Sequence, residues 1–374
     1  MWRIAIKMLV ADRGKLAVAL IGIIFSVVLV NVQGGLFLGL IRKASLLIEN
    51  GEADIWVGHR NMNNVDFPKP IPRRWGDRIR SIPGIDNTQA YLVGHSMITL
   101  PDGGYEMVVL IGTERGTQLG SAWNTIVSDD TLLSQPDSII VDIFDRDKLG
   151  DPKLGDVREI GGKRAKVTAF CHGILGFLVT PYVFTTFDRA TEYLEQPKDQ
   201  CSYFLVKTDG THHINQVQEE IKKRLPHADV LSKSQYAARS IKYWTTRTGI
   251  GISFGAATLL GLMVGMVMVG QTLYASVLDR LHEFGTLLAF GAQDRNVFQI
   301  IFFQAIALAI FGSLVGMCIV LLIQDWFSTP RAPIVIPWWL SSGACLCVTF
   351  ICLTCSFIPF FQLHKLDPAA ILQS

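Results

Sequence analysis

Residues 251–255, Gly-Ile-Ser-Phe-Gly, have the G-x-S-x-G spacing that hydrolases use to hold a nucleophilic serine on a sharp strand-to-helix turn. Here the match sits inside an apolar run, and none of the chain's four long charge-free runs contains a histidine to serve as base. Cys352-x-x-Cys355, with Cys345 and Cys347 close by, has the spacing of a redox or zinc pair. Four thiolates in lipid would need a metal to neutralise them, whereas thiols pack there as small, weakly polar side chains. Gly162-Lys163 imitates a phosphate loop, but G-x-x-x-x-G-K-[ST] occurs nowhere in the sequence. His59, His95, His212 and His213 lack a ligand spacing such as H-x-x-x-H. The expectation is a chain with no catalytic residue, no metal site and no cofactor of its own, and so not an enzyme.

The glycines have a simpler use. Gly251 and Gly255, Gly261 and Gly265, and Gly312 and Gly316 form G-x-x-x-G pairs, which let helix backbones approach closely in lipid. They point to helix packing, within the chain or across a dimer.

Helices must carry these pairs, and composition says of what kind. The 374 residues are 49% hydrophobic and 18% charged, with a mean hydropathy of +0.33. That is too apolar for an ordinary soluble protein and too charged for a bundle confined to the membrane. A net charge of +2 provides no broad basic field, which argues against a nucleic-acid partner. Residues 16–41, 248–278, 296–324 and 332–363 lack Asp, Glu, Lys and Arg. Even the shortest run reaches roughly 39 Å as a helix, enough to cross about 30 Å of hydrocarbon. The first run is too long for a signal peptide and has no clear cleavage site, so it reads as an uncleaved membrane helix.

The expected fold is therefore four transmembrane α-helices with a large α+β extracytoplasmic domain inserted between helices 1 and 2. Its divisions are an amphipathic cytoplasmic arm (1–15), helix 1 (16–41), the inserted domain (42–247) and helix 2 (248–278). A cytoplasmic connector (279–295), helix 3 (296–324), an extracytoplasmic link (325–337), helix 4 (338–361) and a cytoplasmic tail (362–374) complete it. Arg3, Lys7, Arg13 and Lys15 in the arm, Arg280 and Arg295 in the connector and Lys365 in the tail place both termini and the connector in the cytoplasm.

Within 42–247, one domain or two small ones, runs rich in β-branched and aromatic residues predict strands at 53–58, 89–100, 105–112, 138–142, 181–187 and 201–207. Helices are predicted over 71–85 and over 214–225, where Ile214, Val217, Ile221 and Leu225 share a face. Gly161-Gly162 predicts a hairpin turn within 156–170. Cys171 and Cys201 lie in the same segment, where an oxidising compartment would permit a disulfide.

The connector is the polar island between two greasy runs. Asp279, Arg280, Glu283, Asp294 and Arg295 at mid-bilayer would cost roughly 15 kcal/mol together, so this stretch must leave the membrane. At 3.6-residue spacing, Leu281, Phe284 and Leu288 share one face, and Asp279, His282, Glu283 and Thr286 the other, as in a short interfacial helix. Gly291 would cap its C-terminus and Asp294 would cap the start of helix 3.

Glu283 to Ala292, E-F-G-T-L-L-A-F-G-A, resembles the E-[IVF]-G-x-x-[KR]-A-x-G-A signature of the MacB/FtsX-type, or type VII, ABC permeases. The tail, with Pro359, Leu366, Asp367, Pro368, Ile371 and Leu372, resembles that family's P-x-R-x-A-x-x-L-D-P-x-x-A-L ending. Residues 243–251 and 269–287 resemble the DevC-type exporter permeases most. Leu288, His282 and Gln373 stand where the family often has a basic residue. The resemblance implies that Arg280, Glu283, Phe284, Gly285, Leu288, Gly291 and Ala292 form a coupling helix docked on a separate ABC ATPase subunit, which binds ATP and Mg. It further implies a second copy of the chain, a periplasmic adaptor (membrane fusion) protein and an outer-membrane channel. The setting would be the bacterial inner membrane with its lipid, the large domain in the periplasm, and a glycolipid or similar amphiphile as cargo. It also allows a non-transporting regulator of a cell-wall hydrolase or a ligand sensor, as in the FtsX type.

Overall fold

The computed structural model describes residues 2–116, 118–126, 135, 137–281, 283, 284, 286, 293–357 and 359. It divides into two compact units, Leu40–Ile250 and the remainder. The chain opens with helix α1 (Trp2–Ala11), followed after one residue by α2 (Arg13–Lys43). Asp12 starts α2 as a cap should: its Oδ1 accepts from the Lys15 backbone N–H at 3.1 Å.

In the Leu40–Ile250 unit the order is α3 (Leu46–Asn50), β1 (Ile55–His59), β2 (Ile71–Pro72), α4 (Trp75–Arg80), β3 (Ile85–Thr99), β4 (Tyr105–Thr113) and β5 (Ser138–Asp142). Then come β6 (Val157–Ile160), β7 (Lys163–Cys171), β8 (Tyr182–Thr186), α5 (Phe187–Tyr193), β9 (Gln200–Cys201), β10 (Tyr203–Thr208), α6 (Ile214–Arg224), β11 (Ala228–Ser232) and α7 (Lys233–Thr246). Nine strands make one mixed sheet in the order β11-β1-β10-β3-β4-β8-β5-β7-β6, and β2 pairs with β9 apart from it. The 15-residue β3 is the shared spine: Ile85–Tyr91 pair with β10, and Leu92–Thr99 pair with β4. Ile98 also pairs with Ile160 of β6, so the strands from β3 to β6 close on themselves around Val108, Leu110, Val141, Val167 and Val183. A second core, with Ile55, Ile79, Phe204 and Ile221, draws on α4 and α6, and a third surrounds Trp56.

The hairpin forms at Gly161-Gly162, whose φ values of 56° and 70° are what a tight two-residue turn demands. All six predicted strand runs carry strands. Residues 71–85 differ from expectation: Ile71–Pro72 pair with Cys201–Gln200, and only Trp75–Arg80 are helical. Strand pairing took the start of that segment, overriding its helical pattern. In α6, Val217 and Ile221 are buried but Ile214 stays exposed. Cys171 and Cys201 are separate thiols in different cores, so this structure holds no disulfide between them.

The membrane helices after the inserted unit are α8 (Ile250–Asp279), α9 (Asp294–Phe327) and α10 (Trp338–Cys355). With α2 they are the four described helices long and apolar enough to cross a bilayer. Between α7 and α8 the chain breaks its helix at Arg247–Gly249, with Gly249 at φ 72°. Gln293, not Asp294, is the N-cap of α9, and it makes no side-chain capping bond. Asp294 is instead the first helical residue.

Candidate coupling site and the seams of the membrane helices

At the end of α8, Lys15 pairs with Asp279 and donates to the Ala275 carbonyl at 3.3 Å, joining the start of α2 to the end of α8. The next residue turns inward. The Arg280 guanidinium donates to the Met8 carbonyl at 2.9 Å. That carbonyl lies in the last turn of α1, where helix carbonyls lack intrahelical donors and a cation is favoured. The same guanidinium lies 3.5 Å from the Glu283 carboxylate, whose side chain is 59% exposed. Helical bonding carries on past α8, with the Phe284 N–H donating to the Arg280 carbonyl at 3.0 Å.

Phe284 corrects the sequence reading. It was expected on the docking surface, but it is buried among Ala5, Met8, Val277, Val297, Ile300 and Ile301. Its ring is too apolar to stay in water when α1 and α9 offer a pocket, so it anchors the connector from within. Glu283 is left outward. Thr286 is half-buried, and Gly285, Leu288, Gly291 and Ala292, like His282 and the tail beyond Phe360, lie outside the described residues. Sequence reasoning missed α1 as the anchor's other half: Ala5 and Met8 fill it, and Trp2 meets Phe303 of α9 edge-on at 5.6 Å. The apolar spacing of Ala5 and Met8 was the available signal.

The glycine pairs separate into two kinds. A methyl built on Gly261 would strike Leu29, one on Gly265 would strike Ser26, and those on Gly312 and Gly316 would lie 2.5 Å from Ile23 Cγ2 and 3.0 Å from Val27 Cβ. All four contacts are with α2. Ser26 Oγ also lies 2.9 Å from the Gly261 carbonyl and 3.0 Å from the Gly22 carbonyl of its own helix. A hydroxyl can cross only where the backbones are this close. Gly255 has no described atom near the place of its missing side chain, and Gly251 lies in the first turn of α8.

No group of three or more His, Cys, Asp or Glu that could hold a metal occurs among the described residues. Cys352 and Cys355 pack in the bundle with Ala19, Ile23 and Val348, as small apolar side chains would.

Residues 255–368 match the family described as FtsX-like permease C-terminal. The chain is 26% identical over 191 residues to the ABC transporter permease MJ1507 of Methanocaldococcus jannaschii, covering 49% of this chain and 45% of that one. It is 22% identical over 195 residues to the macrolide export ATP-binding/permease protein MacB of Nitrosomonas europaea, covering 51% and 30%. With the pyoverdine export ATP-binding/permease protein PvdT of Pseudomonas putida it shares 28% over 131 residues, 34% and 20% of the two chains. The chain thus spans less than half the length of these relatives. The crystal structure of the periplasmic region of MacB from Actinobacillus actinomycetemcomitans covers 50% of it at 7% identity with a TM-score of 0.39.

Proposed function

We propose that the chain is the permease subunit of an ATP-driven exporter, closest to the DevC type, and that residues 279–292 dock on a separate ATPase subunit. The observation that carries this is the two-sidedness of the connector. Phe284 and Arg280 fasten it to α1 and α9, while Glu283 stands exposed on a piece that cannot move without them. A push on such a piece is passed to the helices rather than absorbed by a loop. The relatives described as ATP-binding/permease proteins support an ATPase partner.

In this reading both termini and the connector are cytoplasmic and Leu40–Ile250 lies in the periplasm of a bacterial inner membrane. Two copies of the chain pair with two ATPases, and the domain meets a periplasmic adaptor and an outer-membrane channel. The stroke is mechanotransmission, and the cargo is a glycolipid or another amphiphile. The stroke needs a rigid rod, and the turn at Gly249 interrupts the one that α7 and α8 would make. The unbroken element is α2, helical from Arg13 to Lys43 and held by both occupied glycine pairs, so α2 takes that role here. The uncovered Gly255 face of α8 is the surface offered to the second copy.

The test is Glu283→Arg and, separately, Gly285→Leu. Each variant should insert in the membrane at wild-type level and lose stimulation of a copurified ATPase. Full stimulation by both would end the docking assignment. Recovery of a cell-wall hydrolase instead of an adaptor with the full chain would replace export by regulation.

A further inference from the structure

Segments far apart in sequence meet around Trp244, near the end of α7. Phe67, from the loop after β1, stacks on His95 of β3 with ring centroids 5.4 Å apart and lies 6.3 Å from the Trp244 ring. Phe177, from the loop before β8, lies 4.3 Å from the same ring. Trp244 is buried beneath them, and its indole N–H has no acceptor among the described residues. The rim is not buried. Phe67 is 54% exposed, and Leu178 and Val179, which follow Phe177, are 43% and 39% exposed. Val179 also holds φ at 61°, a conformation that a branched side chain rarely adopts, and its carbonyl accepts from Lys148 Nζ. Strain at an outward apolar residue is the kind of departure from local preference that functional loops keep.

The covalent chain limits what this rim can meet. Trp244 precedes the first residue of α8, a membrane-spanning helix, by six positions, which even fully extended is a tether of ~22 Å. Ser240 Oγ lies 2.5 Å from the carbonyl of Ala44, the residue just after α2. Both chain passages into the membrane therefore leave from the neighbourhood of this cluster. Along α7 and into α8 the charge has one sign: no Asp or Glu occurs between Lys233 and Leu278, while Lys242 and Arg247 are exposed. Asp66, beside Phe67 in the chain, is buried, accepts from the Tyr182 hydroxyl at 2.7 Å, and is pushed by burial toward its neutral form.

Aromatic rings, uncovered aliphatic tips and nearby cations together have the composition of an interfacial anchor, in which rings sit at headgroup depth and cations meet lipid phosphates. We propose that Phe67, Leu178 and Val179, backed by Phe177 and Trp244, form a membrane-surface anchor that seats the large domain on the adjoining leaflet and prefers anionic lipid. This inference needs only the membrane helices and is independent of the export reading, so its failure would leave the ATPase docking test untouched.

The full chain in nanodiscs tests it. Leu178→Cys carries an environment-sensitive nitrobenzoxadiazole label, and Asp102→Cys, in the exposed turn between β3 and β4, carries the same label as a control. Wild-type chain treated identically supplies the background from the native cysteines. The expected result is a blue-shifted emission at 178 and several-fold stronger quenching by headgroup-nitroxide lipid there than at 102. Quenching at 178 should fall when phosphatidylglycerol is replaced by phosphatidylcholine. Val179→Gly, which relieves the backbone strain and removes the aliphatic tip, should lower quenching at 178 while leaving the melting transition in place. Equal weak quenching at both positions would overturn the proposal, as would efficient 178-to-178 cross-linking between copies in place of quenching.

Discussion

In the membrane unit the closest helix contacts fall where a side chain is missing, at Gly261 and Gly265 of α8 and Gly312 and Gly316 of α9, all against α2. In the Leu40–Ile250 unit they fall where side chains are largest. Trp56 meets Tyr91 and Tyr203 edge-on at 5.6 Å and Tyr236 at 5.4 Å, and the hydroxyls of Tyr203 and Tyr236 donate to the Asn64 carbonyl. The solvents explain the difference. Water rewards burial of apolar area, so bulk is the means of cohesion in the sheet. Lipid is as apolar as the helices themselves, so close approach and a hydroxyl shared between backbones, as at Ser26, must serve instead.

Substitutions can break this contrast from either side. Trp56→Ala should be the most damaging, lowering stability of the large unit by about 3–5 kcal/mol. Thermal unfolding followed by tryptophan fluorescence would show it, and a wild-type midpoint would mean that the aromatic core is not the main support. Gly265→Leu should come next. Its side chain has to displace Ser26, at an overpacking cost of about 1–3 kcal/mol, with the Ser26 to Gly261 bond lost as well. Size-exclusion chromatography in detergent should report a broadened or aggregated peak.

A pH titration sharpens the contrast further, because a buried carboxyl is something the glycine seams do without. Burial raises Asp66 above its ordinary value of 3.8, opposed in part by the Tyr182 hydroxyl and by His95. The folded chain thus holds this proton more tightly than the unfolded chain. The resulting stability is complete below 3.8 and is lost as pH rises through the folded value, about 1.4 kcal/mol for each pH unit separating the two. Asp66→Asn should flatten that decline; an unchanged slope would assign it to other groups. The smallest effect is expected at Gly255→Leu, within about 0.5 kcal/mol on folding of the single chain, since nothing described occupies that space. A shift from dimer to monomer by light scattering, with the midpoint unchanged, would place the second copy on this face.

What could be read from residues alone is clear at particular places. The four charge-free runs had to be the membrane helices, because length and transfer cost leave no other use for them. Gly161-Gly162 had to turn, because positive φ at two successive positions asks for glycine. Glu283 and its neighbours were legible as a polar exit from the bilayer. Other features needed the assembled chain. Three identical glycine spacings look alike in sequence, yet Gly261, Gly265, Gly312 and Gly316 meet α2 while Gly255 has no described atom against it, since a motif states how close a helix may come and not which helix arrives. Phe284 was correctly put on the apolar face, but that it turns into a pocket made by α1 and α9 depends on residues almost 280 positions away as well as on nearby ones. Ile71–Pro72 became a strand because Gln200–Cys201 supplied a partner, and the sheet closed because Ile98 met Ile160. Local preference and transfer free energy act along the chain and can be read there, whereas pairing and packing are settled only by which distant surfaces the fold brings within contact.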